Sequence, residues 1–208
     1  MFITGMQELV PQKNVLEGIS FKFNEGVPSF KGDTLSFISF GYPHLITNLL
    51  WLRFLQATPT TKVPKGETSW IYYDLNTILD LDPYFLPAVH QGGIFLSIIT
   101  EDKEGARLLF EKGTRLFPND WRTRAYLAYH YDWELGNKAK AGENYLIGSK
   151  LPNAPIILGL LAARFSADQN NMDAGIAVLD DLIQQTKNPL AREHFLKKRK
   201  ALEHGRQR

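Results

Sequence analysis

Five histidines (His44, His90, His130, His194, His204) and no cysteine limit the chemistry open to this 208-residue chain. His130 and Glu134 stand four apart, a spacing that puts two side chains on one helix face, with Asp132 between them. Such a pair could begin a metal site. A stable zinc site takes three or four donors, and no further His or Cys completes this one, so a half-buried histidine on a helix face is the favoured reading. Asp80 and Asp82 precede Pro83, where turn-making explains carboxylates better than metal binding. Asp180 and Asp181 are adjacent and point in different directions on a helix, which unfits them as a paired acid and base. Without cysteine there is neither disulfide nor thiolate chemistry. No glycine-rich phosphate loop, nucleophile elbow or His-Glu-x-x-His motif is present. The expectation is a protein without catalytic, metal or cofactor-binding residues, and not an enzyme.

Charge excludes other classes. The net charge is +2, too small for a strong pull on nucleic acid or an anionic membrane. Pro189–Arg208 nevertheless carries seven basic residues against two acidic ones, so this tail is +5 and the remainder −3. Lys197, Lys198, Arg199 and Lys200 could meet phosphates, but such a run is more often the solvated outer face of a helix, and a broad basic surface is lacking. No apolar run reaches the length of a transmembrane helix, and the first residues lack the basic start and apolar stretch of a signal peptide.

The elements that must position these residues are punctuated by Pro83, Pro118, Pro152 and Pro189, at spacings of 35, 34 and 37 residues. Each spacing holds two helix-length segments, and a fixed period near 34 residues is the mark of stacked helical hairpins. The clear pairs are residues 85–100 with 103–117, 120–135 with 138–151, and 154–169 with 172–186. A looser leading pair, residues 45–56 and 70–81, is separated by a long Pro- and Thr-containing loop. Asp120, Asn153 and Asn188 stand as helix-start signals. A last helix over 189–204 places Ala191, Phe195 and Leu202 on one face and would cap the stack. Residues 1–43 read as an extended arm: the stretches Ile19–Phe23 and Leu35–Phe40 alternate apolar and polar residues between Gly26, Pro28, Gly32 and Gly41.

Alignment on the prolines brings small residues into register. Gly93, Ala128 and Ala162 fall in the first helices, followed three later by Leu96, Tyr131 and Phe165. Ala106, Ala141 and Ala174 fall in the second helices, followed four later by Phe110, Tyr145 and Val178. This pattern resembles the tetratricopeptide repeat (TPR), in which small residues let paired helices approach closely. The likeness covers residues 84–189 well and 44–83 loosely. It departs from the family where Gly113 and Gly148 replace alanine, and where Val89, Arg124 and Leu158 replace an early tryptophan. The runs Leu81–Phe85, Phe117–Trp121 and Leu151–Pro155 also resemble a group of uncharacterised bacterial TPR proteins that often carry an N-terminal apolar anchor. That resemblance implies a bacterial origin, in cytoplasm or at the envelope, with membrane association through an anchor ahead of this sequence.

The resemblance implies an all-α, right-handed superhelical stack: three clear hairpins, one divergent hairpin, a capping C-terminal helix and an N-terminal arm. Its divisions are 1–43, 44–188 and 189–208. A TPR stack binds a protein or peptide on its concave face, lined by the first helix of each hairpin. By register that face takes His90, Gln91, Ile94 and Ile98, then Arg122, Tyr126, Tyr129, Asp132 and Trp133, and then Gly159, Ala163 and Ser166. Tyr129 and Trp133 could equally fill the core between repeats. The implied function is a non-enzymatic adaptor or scaffold holding a protein segment. The alternative is a structural part of an envelope or motility assembly, docked through its arm and basic last helix.

Overall fold

The computed structural model describes residues 42–57, 63–64, 66–167 and 171–206. Among the described residues the protein is all-helical, with no strand and nine helices. They are α1 (Pro43–Leu55), α2 (Trp70–Leu81), α3 (residues 86–99), α4 (Lys103–Leu116), α5 (Trp121–Trp133), α6 (Lys138–Ser149), α7 (Ile156–Ala167), α8 (Met172–Gln185) and α9 (Pro189–Arg206). The expected arm lies outside the described residues up to Gly41, and its boundary shifts: Pro43 already belongs to α1, in the first turn that proline suits.

Each helix packs on its neighbours in sequence, and α2 also meets α4, α3 meets α5, and α7 meets α9. The small residues fit this arrangement. Gly93, Ala128 and Ala162 are buried, as are Leu96, Tyr131 and Phe165 three places on. A Cβ on Gly93 would come within 2.4 Å of Phe110, so the α3–α4 approach depends on its absence. In the third pair the expected register slips by one. Ala174 and Val178 are only half-buried, while Gly175 and Leu179 take the inner places. A Cβ on Gly175 would meet the Ala163 carbonyl at 2.8 Å, which explains the exchange.

The helix starts follow local chemistry. Side chains of Ser69, Asp102, Asp120, Asn137 and Asn171 accept a backbone N–H from the first turn of α2, α4, α5, α6 and α8. Asn188 does the same for α9, accepting from Leu190 at 3.0 Å. Asn153 does not cap α7. It sits at φ 58°, in the left-handed region asparagine tolerates, and makes the turn three residues ahead of Ile156. The α3 helix departs most from expectation, since Ala88–Gly92 and Phe95–Ile99 are wide π turns. The Thr100 amide accordingly reaches the Phe95 carbonyl five residues back, at 3.1 Å.

Two apolar cores result. The larger runs from Phe54 on α1 to Phe165 on α7. The smaller joins Ala163, Leu179 and Leu182 to Ala191 and Phe195 of α9, so the last helix covers the end of the stack with the face expected of it. Among the described residues no helix is long and apolar enough to cross a membrane.

Candidate partner-binding face

Nine of the twelve residues expected on a binding face come from α3 and α5. On α5, Arg122, Tyr126, Tyr129 and Trp133 follow steps of four, three and four, which places them along one stripe. The rest of the helix is anchored in the core by buried Thr123, Leu127, Ala128, His130 and Tyr131. The stripe is therefore presented on a rigid support.

Five of the nine are open to solvent: Gln91, Ile98, Arg122, Tyr129 and Trp133. Trp133 is 70% exposed and Tyr129 43%, so neither fills an inter-repeat core. Their rings stack on each other, 6.0 Å between centroids and 29° between planes. The Arg122 guanidinium lies 4.6 Å from the Trp121 ring centre. Ile98 adds an exposed aliphatic side chain from α3. Asp132 is half-buried. Beneath it Tyr145 stacks on Phe165, and burial, with the charges of Asp132 and Tyr129 nearby, pushes its hydroxyl up to about 12. The register in sequence marked Tyr145, four after Ala141, but not its nearness to Asp132 and Tyr129.

The other face residues are committed elsewhere. Ile94 packs on the larger core. Tyr126 sets its ring against His90 and Phe110. The His90 Nε2 lies 2.7 Å from the Asp120 carboxylate and 3.1 Å from the Thr123 hydroxyl, joining α3 to the start of α5. From the third pair, Gly159 and Ala163 are buried rather than groove-lining: a Cβ on Gly159 would meet Phe195 of α9 at 2.8 Å, and the Ala163 carbonyl faces Gly175 of α8. Ser166 is half-buried.

The residues that could do chemistry are occupied by structural work. His130 is fully buried, not half-buried, because Ser97 and the Lys103 carbonyl give both its nitrogens partners inside. Its Nε2 donates to that carbonyl at 2.9 Å, so Nδ1 accepts from the Ser97 hydroxyl at 2.8 Å. Burial holds its pKa below the usual histidine value, only partly opposed by the Lys103 carbonyl. Glu134 pairs with Lys103 at 3.1 Å. Asp80 pairs with Lys112, and Asp82 accepts from the Tyr84 amide at 3.1 Å. Asp180 pairs with Arg199, and Asp181 with Lys150 at 2.6 Å. Among the described residues no group of three or more His, Asp or Glu is placed to hold a metal ion. In the basic run Arg199 is engaged by Asp180 and Glu203, while Lys197 and Lys200 are exposed.

No family model, curated protein or solved structure matches the chain.

Proposed function

We propose that the protein is a non-enzymatic adaptor or scaffold that holds a protein segment against the α3–α5 face. The stack is read as TPR-like hairpins in a right-handed superhelix, with α3, α5 and α7 as the first helices of successive hairpins. Sequential packing, the buried small residues in register and the capping role of α9 support that reading.

The observation that carries the function is the Tyr129–Trp133 pair. A tryptophan 70% exposed leaves a large apolar surface in water. Aromatic and arginine side chains dominate the energetics of interfaces because they bury much area at low entropic cost. Here Arg122 and Ile98 complete such a set on helices fixed by the core. Enzymatic function is disfavoured because His90, His130, Asp80, Asp180 and Glu134 are spent on joining helices.

Selection of a displayed library of random short peptides on the full chain tests the proposal. Peptides enriched on the native protein should lose most of their binding to Tyr129→Ala/Trp133→Ala, whose circular dichroism should match the native chain. Undiminished binding by the double variant would remove the face from consideration. Tyr126→Ala is a poorer probe, because that ring also supports His90 and Phe110.

A further inference from the structure

The two ends of the stack differ in the face they turn to water. On α9 the exposed side carries Arg192, Glu193, Lys197 and Lys200, the polar backing a terminal helix needs. On α1 the inner side is fixed by Thr47, Phe54 and Trp51, the last meeting Phe85 edge-on at 5.1 Å. Its outer side carries Leu45, Leu49, Leu52 and Leu55, with Tyr42 just ahead of the helix, each more than half exposed. Leu45, Leu49 and Leu52 are spaced four and three apart, the step by which one helix seats along another in a coiled-coil seam. The basic groups of the helix turn off this stripe, Arg53 to Asp74 at 3.4 Å and His44 to Asp82 at 3.6 Å. A helix apolar on both sides belongs in a core, so the outer face of α1 calls for a cover.

We propose that the cover is a second copy of the chain, the two α1 helices packing antiparallel about a two-fold axis near Leu49. The stripe is close to symmetric about that residue, with Leu45 four places before it and Leu52 three after. Reversing the helix therefore lays leucine on leucine, the self-complementarity that a two-fold interface requires. Charge favours the same occupant. A two-fold axis sets any charge beside its own copy, and this stripe carries none, so it offers nothing to a partner chosen by opposite charge. Asn48, exposed beside the leucines, adds the single polar side chain that can fix the register of such a seam. Area suffices for a weak dimer. Five side chains more than half exposed present roughly 500 Å² per copy, so two copies bury about 1,000 Å², the lower bound for a specific interface. A lipid surface is a poorer occupant, since the face offers no lysine or arginine to headgroups.

This inference concerns a different surface from the α3–α5 face, and its test does not depend on that reading. Sedimentation velocity of the full chain from about 1 to 100 μM should show monomer passing to dimer, as an interface of this size predicts. Leu49→Glu/Leu52→Glu should weaken the dimer at least about a hundredfold by bringing like charges together across the axis, with circular dichroism unchanged. Tyr129→Ala/Trp133→Ala should dimerise as the native chain does. The chain has no cysteine, so a single thiol can be placed without background, and this reporter serves even where glutamate disturbs folding. A short bis-maleimide should join two chains of Leu49→Cys, and join far fewer of Tyr84→Cys, a residue still more exposed but away from α1. A chain that stays monomeric over that range, or equal cross-linking at the two thiols, would overturn the proposal. So would a dimer that survives the glutamates but is lost with Tyr129 and Trp133, or monomers that float with phosphatidylcholine vesicles through the leucine face.

Discussion

Burial pushes the Asp120 carboxylate up, yet the Thr123 hydroxyl and amide and the His90 ring together hold it below its ordinary value. One side chain thus caps α5 and ties it to α3. Asp120→Ala should destabilise the fold by about 2 kcal/mol, combining a lost cap with an orphaned His90 partner. Denaturant midpoints would measure it, and Asp120→Asn should recover much of the loss. Asp74 has the opposite balance. Burial raises it to about 6, with Arg53 opposing only in part. Its charged form is therefore disfavoured in the fold, and its contribution to stability grows as pH falls from about 6 toward the unfolded value near 4. His130 works against it. Its pKa is lowered by burial, so stability is lost as pH falls below the unfolded histidine value and the unfolded state takes the proton. Between pH 7 and 5 the two slopes oppose each other. Asp74→Asn should leave His130 unopposed, so the variant should lose more stability on acidification than the native chain. Urea midpoints at the two pH values would measure it. Of this only the Asp120 cap was legible in sequence: His130 and Glu134 read as a spacing, and the partners Ser97 and Lys103 that satisfy the buried histidine come from other helices.

Register-equivalent positions need not tolerate the same change. Gly113 on α4 and Gly148 on α6 stand 35 residues apart, at equivalent places when the sequence is aligned on its prolines. A Cβ on Gly113 would come within 2.4 Å of Val89 and 3.2 Å of Thr123, both stiff β-branched side chains. On Gly148 the closest atom is the Arg124 Cβ at 3.1 Å. Gly113→Ala should therefore cost about 1–3 kcal/mol by overpacking. Gly148→Ala should fall within about 1 kcal/mol of neutral, because the helix-propensity gain offsets a modest crowding. Thermal denaturation of the two variants makes the comparison. Helix positions were largely legible, since prolines and apolar spacing mark them, and α2 was anticipated at Trp70–Leu81. The π turns of α3 were not; beside them Leu75 and Phe110 close on Gly92 and Gly93 from other helices, contacts that local spacing does not encode. The Ala174–Gly175 slip has the same origin, since a small residue is selected by whichever helix crosses it.

For the molecule as a whole, the register in sequence marked a stripe on α5 that the structure leaves partly exposed, and two α7 positions that it buries. Tyr129 and Trp133 stand open, whereas Gly159 lies under Phe195 of α9 and Ala163 faces Gly175 of α8, contacts that local spacing does not encode. The central claim is that this open pair takes a protein segment. Its most direct test is affinity capture from the source cell with the full chain and with Tyr129→Ala/Trp133→Ala, read by mass spectrometry. The account predicts proteins retained by the native chain and lost from the double variant, but kept by a Lys197→Glu/Lys200→Glu control. Identical capture by the native chain and the aromatic double variant would contradict it.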